Sequence, residues 1–367
     1  EEKSKGAGSV ILLRECNNTI NEKGETQIVI RVVGKIFNNQ ALEDYSHIPL
    51  GFNSYYEEAV LDFARVIRQD GSIIEVKKDA VQIKTAPEIE GDIKFSDTRF
   101  LTFALDGLEI GSAFEYQATF KQKKIIIEGE WSEHHYFGGW LQRLSPPYIP
   151  RIDPVIKSVY RLRVPKNKEF KYSITTNSLP PVKNIIKNQD EYLWEYTDLP
   201  AVYIENSMPP LSKLIPVLLI SSIKEWSQID GWAATKLLSG YDITPQLKTL
   251  TGELLGNIPE KENKVKAISR YIQNNIRYVS ADLDRGGYTP HSPDEIISSR
   301  YGDCKDQVVL FVSMLKTVGI EAFPALINPY PQDELIDIPS LNFSHVIAFV
   351  PDGGNGVWFD PTSGIAD

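Results

Sequence analysis

A cysteine stands at the start of an apolar run in the sequence RYGDCKDQVVLFVSMLKTVGI, which spans Arg300 to Ile320. The pattern predicts a helix that is buried on most sides, with Cys304 in its first turn. Unpaired backbone N–H groups and the helix dipole favour a negative charge there, which lowers a thiol's pKa and raises its thiolate fraction. Asp303 and Asp306 act in the opposite sense, so an imidazolium partner would decide whether the cysteine is a nucleophile.

A histidine and an aspartate follow in an arrangement that could supply this partner. His345 begins the strand-like run NFSHVIAFVP, the turn DGGNG then reverses the chain, and Asp360 ends the next run, VWFDPTSG. If the two runs pair antiparallel, both residues come to the same end of a hairpin. Covalent acyl chemistry requires a thiol, an imidazole and a carboxylate, because the imidazole moves the proton and the carboxylate orients the ring.

Other residues offer competing interpretations of the site. A lone cysteine is usually an inert buried thiol, and only the accompanying His345 and Asp360 reverse that interpretation for Cys304. His291, in YTPHSP, could serve the site instead, although a loop histidine beside two prolines is more often hydrogen-bonded or solvated. Cys16 has no comparable partners, so we expect it to be structural or exposed.

The stretch EGEWSEHHYFGGWLQRL, from Glu128 to Leu144, invites a metal or ligand hypothesis. Adjacent residues of a strand point to opposite faces, so His134 and His135 would not act together, and we predict no metal and no cofactor. The aromatic residues of this stretch are Trp131, Tyr136, Phe137 and Trp140. They could form a platform for a glycan or a peptide, but packing into a core is the favoured interpretation.

The elements that would position the cysteine follow a change of pattern near position 225. Before it, β-branched and aromatic runs such as TQIVIRVVGKIF recur between turn signals, which is typical of strands in a sandwich or barrel. After it, segments such as PEKENKVKAISRYIQNNI have helical spacing, and SPDEIISSR contains a capping box at Ser292 and Glu295. The sequence therefore predicts an α+β chain: a β-rich domain over residues 1–207 that folds on its own, a Pro-rich connector over 208–224, and a helix-containing domain over 225–367.

Composition restricts the class of partner. The chain of 367 residues has a formal charge of -10 and no basic block, so we do not expect it to bind nucleic acid. Its longest apolar run, around Ile215 to Ile220, is far too short for a membrane helix. The two cysteines are too few for a disulfide scaffold, and they leave the compartment open.

Several segments in the last third of the chain together resemble the transglutaminase-like superfamily, a branch of the papain-like cysteine fold. They are IRYV, GGYTPHSPDEIISSRYGDCKD, GIEAFPALI, NFSHV and WFDPT, in this order. The preceding part resembles the β-rich domain of unknown function that accompanies this module in bacterial proteins. The segments that carry this second resemblance are ARVIRQDGSIIEV and LDGLEIGSAFEYQ.

The resemblance implies a role for each candidate residue. Cys304 is expected to be the nucleophile, His345 the general base and acid, and Asp360 the carboxylate that orients the histidine. The oxyanion hole would use the backbone N–H of Cys304 and one side-chain donor from upstream. Tyr278, in IRYV, is the candidate for that donor.

These roles predict a peptidase-like hydrolase that cleaves amides through a thioester in a protein, peptide or cell-wall peptide substrate. Two alternatives remain open: a cross-linking transglutaminase, in which a lysine amine resolves the thioester, and a non-catalytic module that binds a glycan or protein. The resemblance further implies a periplasmic or secreted location. Substrate specificity would depend on loops such as Asn328 to Asn342, and the sequence leaves substrate identity and oligomeric state open.

Overall fold

The protein divides into two compact units, which are described separately. The computed structural model describes residues 7–85, 94–139, 151–205, 207–238, 243–281, 287–329 and 338–363. The first unit comprises Glu1–Ala86, Thr98–Trp226 and Pro331–Ser340. The second comprises Pro87–Asp97, Ser227–Tyr330 and Leu341–Asp367, so each unit is built from more than one part of the chain.

The first unit is rich in strands, as the alternating apolar pattern predicts. Its elements, numbered along the whole chain, are β1 (Ser9–Ile20), β2 (Thr26–Ile36), α1 (Asn39–Ser46), β3 (His47–Asn53), β4 (Glu57–Ile67), β5 (Ile73–Glu75), β6 (Gln82–Thr85), β8 (Thr98–Ala104), β9 (Ala113–Gln122), β10 (Ser132–Tyr136), β11 (Arg151–Ile152), β12 (Val155–Pro165), β13 (Lys171–Ile174), β14 (Val182–Ile186), β15 (Gln189–Leu199), β16 (Val202–Tyr203) and β17 (Val217–Ser221). An eight-stranded sheet has the order β14-β15-β12-β1-β2-β9-β4-β5, in which only β1 and β12 run parallel. Smaller sheets have the orders β3-β8-β6, β10-β17-β13 and β11-β16.

The core of the first unit lies on one face of the eight-stranded sheet. Along β2 every second residue is buried from Ile28 to Ile36, which is the signature of a strand with one covered face. The ring of Phe103 on β8 packs edge-on against Tyr116 on β9 with centroids 5.5 Å apart, so the β3-β8-β6 sheet contributes to that cover. A hairpin turn at Asp70 and Gly71 connects β4 and β5, with Gly71 at a φ of +85°.

Residues 208–224 are not a plain connector, contrary to the sequence prediction. They contain β17, whose five residues are all buried and which pairs with both β10 and β13. The apolar run at Ile215 to Ile220 is the signal for this strand, since a fully buried strand reads as a continuous apolar segment. The prolines lie just before this strand.

The second unit combines helices with short strands. Its elements are β7 (Lys94–Phe95), α2 (Trp226–Leu238), α3 (Pro245–Leu255), α4 (Lys261–Asn275), β18 (Arg277–Tyr278), β19 (Ser280–Ala281), α5 (Pro293–Ser299), β20 (Tyr301–Gly302), α6 (Cys304–Thr317), β21 (Phe323–Ile327), β22 (His345–Asp352) and β23 (Asn355–Phe359). Strands β21, β22 and β23 form an antiparallel sheet in that order. Two short parallel pairs, β18 with β20 and β19 with β7, complete the pairing among the described residues.

Helix α6 is the centre of the second unit, and it is buried on most sides as predicted. Its apolar residues share one core with α3, α4 and β22, and Phe311 packs against Phe359 of β23 with ring centroids 5.7 Å apart. Gly319 follows the helix at a φ of +72°, a conformation that commonly ends a helix. Because α6 packs on β22 and β23, the start of the helix comes to the end of the hairpin.

These features confirm the α+β class. No helix among the described residues is long and apolar enough to cross a membrane.

Candidate active site

Cys304 is the first residue of α6, and a capping box fixes its position. Asp303 is the N-cap, and its Oδ1 accepts a hydrogen bond from the backbone N–H of Asp306 at 3.2 Å. In return, Oδ2 of Asp306 accepts one from the N–H of Asp303 at 3.1 Å. The thiol is half-buried, and Cys304 is a free cysteine at the amino end of the helix, where the dipole favours an anion.

His345 and Asp360 meet at the end of the β22-β23 hairpin, as the sequence predicts. Ala348 pairs with Phe359, and continuing this register places Asp360 opposite Ile347, whose side chain points to the same face as His345. The two residues are therefore diagonal neighbours on one face. Nε2 of His345 lies 2.8 Å from Oδ2 of Asp360.

His345 interacts with Cys304 as well as with Asp360. Hydrogen bonds to Asp360 and to Cys304 raise the pKa of His345 to about 10, although partial burial of the ring opposes the change. Because Asp360 occupies Nε2, Nδ1 is the ring nitrogen that remains for an interaction with the thiol. The arrangement favours the protonated, imidazolium form of His345.

Asp360 is itself held in place by Thr362, a residue that the sequence reasoning missed. Oδ1 of Asp360 accepts hydrogen bonds from the N–H of Thr362 at 3.0 Å and from its hydroxyl at 2.6 Å. Partial burial would raise the pKa of Asp360, but the bonds from His345 and Thr362 outweigh it and lower that pKa. The signal was present in the motif WFDPT, since Thr two residues after Asp commonly closes such a turn.

Tyr278, the candidate oxyanion donor, lies beside the cysteine. It belongs to β18, which pairs in parallel with β20 just before α6, so Tyr278 is opposite Gly302. Desolvation, the charges of Cys304 and Asp303 and a hydrogen bond with Cys304 all raise the pKa of Tyr278. The residue is 49% exposed, so one side of the ring faces solvent while the hydroxyl stays protonated and able to donate.

Lys305 is buried next to Cys304, and the sequence reasoning did not single it out. It is 4% exposed and forms an ion pair through Nζ with Oδ2 of Asp303, which is also 4% exposed. A small cavity of about 30 Å³ adjoins Lys305 and is lined by aromatic residues that include Trp232 and Tyr288. A buried lysine in a helix start is unusual unless it is paired.

His291 contacts the N-terminal turn of α6 through Asp306. Its backbone N–H donates to Oδ1 of Asp306 at 2.7 Å, and its Nδ1 lies 3.1 Å from Oδ2. Asp306 is fully buried; burial would raise its pKa, but the bonds from His291 and the charge of Lys305 lower it. Gly302 permits this close packing, because a Cβ there would lie 2.6 Å from Cβ of Asp306.

A separate cluster of possible metal ligands lies in the first unit. Ligand atoms of Cys16, Glu133 and His135 lie within 4.8 Å of one another, a grouping that neighbouring sequence positions did not reveal. Nη1 of Arg14 lies 3.1 Å from Nε2 of His135, and this buried cation lowers the His135 pKa together with burial itself, which is the larger cause. Since Arg14 engages Nε2 of His135 and its buried guanidinium would repel a divalent cation, these residues are a poor fit for a metal. Cys16 is 3% exposed, which agrees with a structural role and not with an exposed one.

The aromatic residues near His134 are part of the core where the structure describes them. Trp131 and Phe137 are buried, which supports packing over a binding platform. Trp140 lies outside the described residues, as does most of the predicted specificity loop between Asn328 and Asn342.

A groove of the second unit is lined by Asp360, the partner of His345, but not by Cys304. It has a volume of about 780 Å³ and lies between α4 and the β22-β23 hairpin. Asp360 and Trp358 line it, whereas Cys304 and His345 do not. The groove therefore does not mark the place where an acyl group would meet the thiol.

Comparisons with known proteins agree with the resemblance seen in the motifs. Residues 22–203 match the family model of a domain of unknown function, DUF3857. Residues 248–355 match the model of the Transglutaminase-like superfamily. The resemblance is thus confirmed for both parts of the chain. No curated protein matches it.

Solved structures include similar chains. A crystal structure from Parabacteroides distasonis ATCC 8503, named a "putative protease", covers 96% of this chain and 67% of that chain with a TM-score of 0.79 and 16% identity. A "putative cysteine protease" from Cytophaga hutchinsonii covers 92% of this chain and 75% of that chain, with a TM-score of 0.27 and 16% identity. At such identity the first similarity shows a shared fold, and the second is too low in TM-score to carry an argument.

Proposed function

We propose that this chain, which joins a DUF3857 domain to a core of the transglutaminase-like superfamily, is a cysteine-dependent hydrolase of amides. The single observation that carries the proposal is the position of His345, which contacts Asp360 through Nε2 and Cys304 through its other nitrogen. A thiol, a base and an orienting carboxylate in contact are the requirement for nucleophilic acyl transfer. The substrate class is a protein, a peptide or a cell-wall peptide.

In the first half-reaction the thiolate of Cys304 attacks the amide carbonyl carbon, and a C–S bond forms. The negative charge that develops on the carbonyl oxygen would be stabilised by the backbone N–H of Cys304 and by the hydroxyl of Tyr278. The raised pKa of Tyr278 supports this role, because a phenol must stay protonated to donate. The C–N bond then breaks, and Nδ1 of the His345 imidazolium gives its proton to the leaving amine.

In the second half-reaction the neutral His345 takes a proton from water, and the resulting hydroxide attacks the thioester carbonyl. The C–S bond breaks, the acid leaves, and the thiolate and imidazolium are restored. Asp360 keeps the ring in one orientation through both steps, and Thr362 keeps Asp360 in place. Water is the expected acceptor, because no described residue near Cys304 marks an amine pocket.

The test begins with labelling, because the substrate is unidentified. The full chain is treated with iodoacetamide and with an acyl-type activity probe, and peptide mapping identifies the modified residue. Screening against peptides and cell-wall peptides follows, with Cys304→Ala as the blank. We expect Cys304 to be labelled and cleavage to vanish in Cys304→Ala. Partner binding that survives this substitution, without any cleavage, would favour the non-catalytic module instead.

The cross-linking alternative is separated by the choice of acceptor. A glutamine-containing peptide is incubated with the protein and an isotope-labelled primary amine. The products are then identified and quantified by mass spectrometry. Hydrolysis predicts the acid as the main product at modest amine concentration. Stable amine incorporation in excess of acid would make the chain a transglutaminase.

The proposed compartment, periplasmic or secreted, follows from the family resemblance alone. Fractionation of cells that express the native gene, followed by immunoblotting of each fraction, is the direct measurement. Recovery of the chain in the cytoplasmic fraction would contradict it.

A further inference from the structure

Two carboxylates flank the proposed nucleophile within its own helix turn. Asp303 precedes Cys304 directly, and Asp306 follows it by two residues. Both are almost fully buried, so solvent screens their charges poorly. Uncompensated, they would oppose the thiolate that the proposed function needs.

Each carboxylate contacts a side chain that can carry a positive charge. Nζ of Lys305 pairs with Oδ2 of Asp303, and Nδ1 of His291 lies 3.1 Å from Oδ2 of Asp306. The positive charge of Lys305 also favours the deprotonated forms of Asp306 and Tyr278, because it contributes a lowering effect to the pKa of each. Lys305 is thus close to every acidic group of this helix start.

The other ionisable groups near the cysteine come from three further elements. His345 on β22 interacts with Cys304 and with Asp360, and Tyr278 on β18 also interacts with Cys304. His291 precedes α5 and acts through Asp306. Lys305 pairs with Asp303, the carboxylate immediately before the proposed nucleophile.

We propose that Lys305 is a positioning residue that neutralises Asp303 and thereby allows Cys304 to exist as a thiolate. This inference rests on the proposed function and deepens it. Stability alone is a poor reason for the pair, because desolvating two charges costs about as much as their attraction returns, and apolar replacements are often neutral. Asp303 is required as the cap of α6, and Lys305 removes the electrostatic cost of having a carboxylate there.

The test compares the pH profile of iodoacetamide alkylation at Cys304 in charge variants of the full chain. Lys305→Met removes the positive charge that pairs with Asp303, so the alkylation profile should move to higher pH by about 0.5 to 1 unit. Lys305→Arg keeps the charge and should match the parent. Asp303→Asn keeps a capping oxygen but removes the charge, so its profile should move to lower pH. The double variant Asp303→Asn/Lys305→Met has neither charge and should return close to the parent.

A purely structural role for Lys305 would change the melting temperature without moving the alkylation midpoint. The inference fails if folded Lys305→Met alkylates like the parent, or if the double variant is shifted as far as the single one. If Lys305→Met does not fold, the alkylation profile of Asp303→Asn becomes the deciding measurement. A profile equal to that of the parent would then overturn the inference.

The proposed function has a separate readout in the same experiment. If the parent chain alkylates at Cys304 like a free thiol and His345→Ala changes nothing, the hydrolase proposal fails. If the parent profile is acid-shifted and depends on His345 but not on Lys305, only the role of Lys305 fails.

Discussion

The carboxylate of Asp360 holds Nε2 of His345 at 2.8 Å, and this contact determines which ring nitrogen faces Cys304. A histidine on a strand end could otherwise present either nitrogen to the thiol. With Nε2 engaged, the proton transfer that we propose between His345 and Cys304 would use Nδ1. The following predictions depend on this geometry.

Removing the imidazole should abolish the enhanced reactivity of Cys304. In the parent chain iodoacetamide should alkylate Cys304 near pH 5 to 6, where a thiol with an ordinary pKa of about 8.5 is almost fully protonated. His345→Ala should move the profile to higher pH by at least about one unit, because the adjacent positive charge is lost. Peptide mapping across pH 5 to 9 gives the profile. His47→Ala, an exposed histidine in the first unit, is the matched control, and buried Cys16 should stay unmodified while the protein is folded.

Asp360→Asn should reduce turnover far more than it reduces alkylation. The ring remains but loses its orientation and tautomer, so we expect kcat to fall by roughly 10²- to 10⁴-fold with a small change in KM. Asp352→Asn, at the other end of the same hairpin, should have little effect, since Asp352 forms only an exposed ion pair with Lys261. Equal kcat for the parent and Asp360→Asn would contradict the proposed role.

The same pair should make stability depend on pH. The pKa of His345 is raised from 6.5 to about 10, so its contribution is fully present below about pH 6.5 and is lost as the pH rises to about 10. The free energy of unfolding of the parent, relative to Asp360→Asn, should therefore decrease across this range. We expect a difference of about 1 to 2 kcal/mol, given the partial exposure of both groups. Urea unfolding at pH 6, 8 and 10 measures it, and a difference that grows with pH would contradict the sign.

Tyr278→Phe should weaken transition-state stabilisation without removing the nucleophile. The ring and its packing remain, but one oxyanion donor is lost, so kcat should fall by about 10- to 10³-fold. Tyr301→Phe is the control, because Tyr301 lies on the partner strand β20 and is exposed. If the two variants behave alike, Tyr278 is not the donor.

Gly302→Ala should destabilise the second unit. A Cβ at this position would lie 2.6 Å from Cβ of Asp306, so the start of α6 must shift, at a cost of about 1 to 3 kcal/mol. Gly252→Ala in α3 meets no atom within 4 Å and should stabilise the helix slightly instead. Thermal melting of both variants compares them, and a neutral Gly302→Ala would show that this contact relaxes freely.

Much of the candidate site could be predicted from the sequence, because each of its parts is encoded locally. The apolar period of α6 places Cys304 in its first turn, and the alternation in NFSHVIAFVP and VWFDPTSG fixes a hairpin with His345 and Asp360 at one end. Ser292 and Glu295 form the predicted capping box of α5. Local patterns of this kind are independent of distant parts of the chain.

Contacts between distant segments could not be predicted in the same way. The pairing of His291 with Asp306 and the burial of Lys305 depend on how a loop packs against a helix. The sequence showed Asp303 and Asp306 as charges that oppose the thiolate, and the structure supplies their partners. Strand β17 could not be predicted in this way because its apolar run is short and follows prolines, and its partners lie on the distant strands β10 and β13.

The length of the turn between β22 and β23 sets the register that brings Asp360 to His345. Asp352 pairs with Asn355, so only Gly353 and Gly354 connect the strands, and both have positive φ. A single inserted residue there would slip β23 by one position and turn Asp360 to the opposite face of the sheet. The length of this two-glycine turn thus determines whether Asp360 faces His345. A one-codon insertion in the turn would separate the two side chains although every residue of the proposed triad stays unchanged.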